Sequence, residues 1–340
     1  MKKVHVTEAI GLVLCHDMTV IIPGVKKGPA FRKGHIIREE DIETLLSMGK
    51  SHIYVWERKE NQLHEDEAAV RLGDICMNEH MYGSEIKEGK INIHANINGL
   101  LKINTKKLEA INNLDDIMIA TRHSCFPVKQ GDKLAATRII PLVINEDVIK
   151  EAEAIKEDEP LLTLLPYKPY KIGIVTTGSE VYHGRIKDAF GPVINNKAEE
   201  YNMEVIGQII VDDNCEKIEE AINTLVEKGA TFIICTGGMS VDPDDLTPTS
   251  IKNTGAEIIS YGAPILPGAM FLLAYKGDMP IIGVPGCAMY AKRTVLDLIF
   301  PRLLTGEKLT KEDLAKYGHG GLCLECDTCS FPSCSFGKGW

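Results

Sequence analysis

Two groups of residues in the sequence have types and spacings that suit chemistry. The first is a set of loops carrying glycines, hydroxyls and carboxylates. Thr176-Thr177-Gly178-Ser179-Glu180 offers hydroxyls, backbone amides and one carboxylate. A loop of this kind feeding a helix N-terminus cradles phosphate, because unsatisfied amides and the helix dipole favour an anion. It lacks the spacing of a P-loop or a G-x-G-x-x-G fingerprint, so a plain strand-ending turn is the competing reading. The loop from Thr236 through Gly237, Gly238 and Ser240 to Asp245 is more specific. Its glycines admit a ligand close to the backbone, and Thr236 and Ser240 can donate to phosphate oxygens. Asp242, Asp244 and Asp245 would repel that phosphate unless a cation intervenes. Magnesium suits the task, since it is bound by one or two carboxylates plus substrate phosphates. Asp212 and Asp213 at another strand end add to a metal-assisted site. The alternatives are solvated aspartates, a turn cap at Asp242 and a helix N-cap at Asp213.

The second group is cysteine. Ten occur, and Cys323, Cys326, Cys329 and Cys334 fall in the last 18 residues with the spacing C-x2-C-x2-C-x4-C. Three thiolates three residues apart resemble the bacterial ferredoxin run, which predicts a 4Fe-4S cluster; zinc and a non-metal tail are the alternatives. His319 is a candidate extra ligand and Lys338 a candidate partner for an anionic cluster, each with a solvated side chain as its default. Cys125, beside Arg122 and His123, has no partner base and reads as a packed or free thiol. Cys287 is expected at a helix N-terminus that would stabilise a thiolate, or else as a small buried hydrophobe.

These residues need elements to position them. KIGIVTT, EVIGQIIV, ATFIICT and PIIGV are short apolar runs ending respectively in Gly178, Asp212-Asp213-Asn214, Gly237-Gly238 and Pro285-Gly286. Between the second and third lies a helix whose apolar face is Ile218, Ala221, Ile222, Leu225 and Val226, closed by Gly229. The alternation predicts an α/β fold, a mostly parallel sheet with helices on both faces that binds ligands beyond the strands' carboxyl ends. Upstream, REEDIETLLSMGK predicts a helix with Ile42, Leu45 and Leu46 on one face and a C-cap at Gly49, and HIYVW predicts a strand. Residues 146–159 hold seven acids and two lysines and predict a solvated helix with Val148, Ala152 and Ile155 on its apolar side. Pro160, Pro166 and Pro169 punctuate a linker. The expected division is a small module over 1–58, a mixed α+β module over 59–145, the acidic helix and linker over 146–169, the α/β domain over 170–305 and the cysteine-rich tail over 306–340.

The chain of 340 residues is 44% hydrophobic with a formal charge of -10. That excludes disorder and a disulfide scaffold as whole-chain descriptions and argues against a nucleic-acid footprint. No long apolar run occurs, and Glu8 interrupts what a signal peptide would keep apolar, so a cytoplasmic protein without a membrane span is expected.

TTGSEVYHGRI, VIGQIIVDDNCEKIEEAI, CTGGMSVDPDDL, LPGAM and IIGVPGCAMYA, in that order, resemble the molybdopterin-binding domain of the molybdopterin molybdotransferases and their adenylyltransferase relatives. VTEAIGLVL and GHIIREEDIETLLSMGKSHIYVW resemble further segments of the transferases. The resemblance implies a domain that binds molybdopterin or its adenylate, inserts molybdate while cleaving the adenylate, and acts as a homodimer. It places functional acids at Glu180, Asp212, Asp213 and Asp245 and a late turn at Pro285-Gly286, beside the ligand-binding loops Thr176–Ser179 and Thr236–Gly238 with Ser240 read from the residues themselves.

The departures are specific. Ser179 stands for the family's aspartate, Asp242 for a glycine, Ala269 for a lysine and Cys287-Ala288 for Asn-Pro, and IIPGVKKGPAFRKG replaces a serine-rich segment. Losing the lysine and gaining Asp242 favours dependence on a divalent cation, with Asp242 and Asp245 as candidate ligands. The expected function is a magnesium-dependent molybdotransferase. The alternatives are a non-catalytic carrier that delivers the cofactor to a molybdenum hydroxylase, and a dinucleotide pyrophosphatase.

Overall fold

The computed structural model describes residues 1–22, 26–55, 60–240 and 242–339. Residues 23–25 of the replaced segment, Trp56 of the expected strand, residues 57–59, Val241 of the glycine loop and Trp340 lie outside the described residues. The chain divides into two compact units. One comprises Met1–Ile97, Ile103–Arg122 and Lys129–Leu164, the other Asn98–Lys102, His123–Val128 and Leu165–Trp340. The expected modules 1–58 and 59–145 are not separated in this division, and two short stretches of the latter belong with the C-terminal unit.

In the first unit the expected helix spans Asp41–Ser47 and the strand His52–Val55 pairs antiparallel with Lys2–His5. Only Leu45 of the helix's predicted apolar face is fully buried, and Leu46 is exposed. A helix over Glu65–Cys76 is capped by His64, whose ring accepts from the Asp66 amide, and by the Glu67 carboxylate, which accepts from the His64 amide. The acidic helix spans Glu146–Lys156 and buries Ile149 and Ala152, so its inner line runs through Ile149 rather than Val148. It is less solvated than its composition predicts. Glu146 and Glu153 both accept from the Arg71 guanidinium, at 2.9 and 2.6 Å. The expected proline linker includes a strand over Leu162–Pro166.

The second unit is built on a six-stranded sheet. In chain order its elements are β1 (Lys171–Thr177), α1 (Ser179–Tyr182), α2 (Phe190–Glu200), β2 (Glu204–Val211), α3 (Cys215–Glu227), β3 (Phe232–Thr236), α4 (Thr247–Asn253), β4 (Glu257–Tyr261), β5 (Leu272–Lys276), β6 (Met279–Val284) and α5 (Val295–Leu304). The sheet order is β2-β1-β3-β6-β5-β4. β2, β1, β3 and β6 are parallel, while β5 and β4 add an antiparallel edge. The four predicted runs are thus the four parallel strands.

Period-two alternation sorts the strand residues between two cores. Ile172, Ile174, Phe232, Ile234, Ile282 and Val284 pack with α2 and α5, whereas Val175, Ile233, Cys235 and Ile281 pack with α3 and α4. On α3 the residues Ile218, Ala221, Ile222 and Leu225 are buried as predicted. Each of the three large ones contributes roughly 1.5–3 kcal/mol of transfer free energy. α5 is buried at every position and starts with a capping box formed by Thr294 and Asp297. Among the described residues no helix is long and apolar enough to cross a membrane.

Candidate functional site

Strand register brings the chemistry-bearing loops level. Thr176 pairs with Thr236, Thr236 with Val284, and Thr177 with Val211. The segments that follow, at Gly178, Asp212, Gly237 and Pro285, therefore leave the sheet along one edge. This is the carboxyl-terminal edge, where open α/β sheets bind ligands.

A cavity of about 830 Å³ opens there. Gly237, Gly238, Met239, Ser240 and Asp245 form one side, and Pro285, Gly286 and Cys287 another. Leu266 to Met270 and the tail residues Leu322 to Glu325 complete it. Asp245 and Glu325 are acidic, and among the described residues no lysine or arginine lines the cavity. The lysine-to-alanine departure at Ala269 faces directly into it.

Gly237 explains itself. It lies at φ +82°, and a Cβ there would collide with the Thr177 carbonyl. Tyr261, which sequence reasoning missed, braces this loop: its hydroxyl lies 3.0 Å from the Met239 carbonyl and 2.9 Å from that of Ser240, positioned to donate to either. Nothing in a short strand ending in tyrosine signals that role.

Several expected ligand contacts are already committed elsewhere. Thr176 and Thr236 are fully buried, and the Thr236 hydroxyl donates to that of Thr176 at 3.1 Å. Gln208 Nε2 also donates to Thr176 Oγ1, at 2.9 Å, and to Asp188 Oδ2, at 2.6 Å. Thr177 is buried with its hydroxyl 3.4 Å from that of Thr247, which donates to the Gly237 carbonyl. These threonines therefore build the strand ends and do not present hydroxyls to a ligand. Ser179 is similarly engaged, because its amide donates to Asp213 Oδ2 at 2.9 Å and its hydroxyl to Asp212 Oδ1 at 2.5 Å. The Ser179 hydroxyl holds the Asp212 carboxyl below the usual carboxylate range. His183 and Lys217 lie 3.8 and 4.0 Å from Asp212 Oδ2. The N-cap of α3 is Asn214, which leaves Asp213 for Ser179.

Glu180, Asp212 and Asp213 do not border the cavity, and neither does Asp242, whose amide donates to Asp245 Oδ2 at 3.1 Å. Of the acids named for catalysis or metal binding, Asp245 alone faces it. Among the described residues no group of three or more His, Cys, Asp or Glu is disposed to hold a metal ion. Asp212 and Asp213, expected to share a magnesium ion with Asp245, each give one oxygen to the Ser179 loop and do not border the cavity that Asp245 lines.

Cys287 sits in a single 3-10 turn, Gly286–Met289, rather than at the start of a helix, and burial pushes its thiol up. It is a thiol in the cavity wall, not a stabilised thiolate. Cys125 is packed, and burial raises its thiol too.

The comparisons with known proteins bear on this site. Residues 173–305 match a family model described as a probable molybdopterin binding domain. That span holds the sheet and every loop of the cleft except the tail. Residues 3–57 match a model described as a domain of unknown function. A CinA-like protein of Mycobacterium avium is 36% identical over 77 residues, which are 23% of this chain and 18% of that protein. A molybdopterin molybdenumtransferase of Staphylococcus epidermidis is 22% identical over 305 residues, 84% of this chain and 66% of the relative. The match thus spans about a fifth of the CinA-like protein and just under two thirds of the transferase. Among solved structures, the molybdopterin biosynthesis Mog protein of Mycobacterium ulcerans is 18% identical, covering 39% of this chain and 92% of its own, with a TM-score of 0.31. The molybdopterin biosynthesis MoeA protein of Pyrococcus horikoshii is 15% identical, covering 72% and 80%, with a TM-score of 0.34.

Proposed function

We propose that the cleft beyond β1, β3 and β6 binds molybdopterin or its adenylate, and that the chain acts in molybdenum cofactor biosynthesis as a magnesium-dependent, molybdotransferase-like enzyme. The observation that carries this reading is the composition of the cleft within residues 173–305. It offers glycine backbone for close approach, apolar walls, a hydroxyl at Ser240 and one carboxylate at Asp245; Glu325 of the tail adds a second, and among the described residues no cationic side chain lines it. An anionic phosphate cannot settle beside Asp245 and Glu325 without a counter-charge. Magnesium needs only one or two protein carboxylates beside phosphate and water, so Asp245 suits it although no three-ligand group is present. Bound there, the ion would supply charge neutralisation at the phosphate oxygens.

The protein's own residues do the rest. The Gly237-Gly238 backbone and the Ser240 hydroxyl hold the phosphate, and Tyr261 fixes their loop. Asp212 and Asp213 are positioning residues that hold the Ser179 turn, and through it Glu180. Pro285 and Gly286 shape the opposite wall.

A delivery protein that hands finished cofactor to a molybdenum hydroxylase is the second reading. It is favoured by the placement of Glu180, Asp212 and Asp213 away from the cavity. Incubation with molybdopterin adenylate, molybdate and magnesium separates the two. AMP release with molybdenum uptake supports the transferase, and tight binding without turnover supports delivery. Failure to bind molybdopterin in either form refutes both.

A further inference from the structure

The tail is not a loose appendix. Phe336 is buried in the core shared with α2 and α5, and Phe331, Cys323 and Cys334 pack against that core. Phe331 stacks at 5.8 Å from Phe126 and 6.1 Å from Phe336, with the Arg293 guanidinium 4.9 Å above its ring. The Cys323 amide donates to the Leu266 carbonyl at 2.8 Å. Lys292 Nζ donates to the carbonyls of Asp327 and Cys326 at 2.6 and 3.3 Å, and so latches the middle of the cysteine run to the segment before α5. Lys338, a candidate partner for a cluster, instead donates to the Pro332 carbonyl and lies over Phe126. His319 is exposed and does not join the cysteines.

A second cavity of about 280 Å³ is lined by all four cysteines of the run, Cys323, Cys326, Cys329 and Cys334, and by Glu325. None is in a disulfide. Lys292 and Arg293 are on its wall, where the Arg293 guanidinium also pairs with Asp297 Oδ1 at 2.7 Å. The arrangement discriminates between metal centres. Around one zinc ion at about 2.3 Å, four thiolates must converge to within about 4 Å of one another and leave no void. The cavity these residues border, at about 280 Å³, has room for roughly nine waters. A cubane assigns each thiolate to a different iron, so it asks for four sulfurs arranged around a volume rather than a point. Lys292 and Arg293 bring positive charge to a wall that Glu325 shares, and local charge is one of the protein's means of tuning such a cluster.

We propose that Cys323, Cys326, Cys329 and Cys334 bind a 4Fe-4S cluster in this cavity. Each thiol gives up its proton as it ligates one iron, and no ligand from another part of the chain is required. The site goes beyond the pterin reading and does not depend on it.

The test is anaerobic reconstitution of the full chain with iron and sulfide, followed by iron and acid-labile sulfide analysis, visible absorption and EPR after reduction. The expected result is about four iron and four sulfide per chain with a cubane spectrum. C326S and C329S should lose most of both, while their cluster-free forms unfold at the temperature of the cluster-free wild type, since both side chains are exposed. C215S, on α3, should retain both. Iron and sulfide at background in the wild type, unchanged loading in C326S, or stoichiometric zinc that iron and sulfide do not displace would each overturn the proposal.

Discussion

Replacing Gly237 by alanine tests how the cleft is built, and Gly229 supplies its control. Both glycines are left-handed, at φ +82° and +95°. A Cβ at Gly229 meets no atom within 4 Å, whereas one at Gly237 would strike the Thr177 carbonyl and lie 2.8 Å from its hydroxyl. The left-handed conformation costs an alanine about 1–2 kcal/mol at either position. At Gly237 the collision with backbone adds an overpacking cost of about 1–3 kcal/mol, because either the end of β1 or the glycine loop must move. G229A should therefore lose about 1–2 kcal/mol and keep its ligand affinity. G237A should lose about 2–5 kcal/mol and bind molybdopterin at least about tenfold more weakly, equivalent to about 1.4 kcal/mol. Urea unfolding with unchanged m-values gives the stabilities, and ligand titration at a temperature where both variants are folded gives the affinities. Equal destabilisation of the two variants, or wild-type affinity in G237A, would refute the close approach of the two loops.

Y261F removes the hydroxyl that braces Met239 and Ser240; it should cost about 0.5–1.5 kcal/mol in ligand binding by titration while the melting temperature barely moves. A269K returns a cation to the cleft wall, so its molybdopterin affinity in EDTA should exceed that of the wild type by about tenfold or more. In the first unit, Glu65 is buried and its carboxyl is pushed up to about 7, first by desolvation and then by Asp66. The folded state thus keeps a proton that the unfolded state releases from about pH 4.5 upward, and stability falls between about pH 4.5 and 7 by on the order of 2–3 kcal/mol. Denaturation of E65Q across that range should show a shallower decline.

The parallel strands were legible because each is a continuous apolar run stopped by glycine or aspartate, and α3 because its apolar residues keep helical spacing through a charged sequence. β4 and β5 were not, since Glu257–Tyr261 and Leu272–Lys276 are short and lack distinctive boundaries. The glycine loop was legible as a place of close backbone approach, and it lines the cavity beyond the strand ends. The duties of its neighbours were hidden, because they depend on partners distant in sequence. Thr236 meets Thr176 across 60 residues, and Ser179 meets Asp212 and Asp213 across more than 30. A carboxylate read in isolation could not reveal that a serine amide already occupied it. The tail's contribution to the cleft was hidden for the same reason, since Leu322–Glu325 are held there by pairing with Leu266, more than 50 residues earlier.

The most direct test of the central claim is a titration of the full-length chain with molybdopterin, performed with magnesium and again in EDTA. Among the described residues the cleft has two carboxylates and no cation, so the account predicts saturable binding with magnesium and a loss of at least about tenfold on chelation. Affinity unchanged in EDTA, or no saturable binding in either condition, would contradict it.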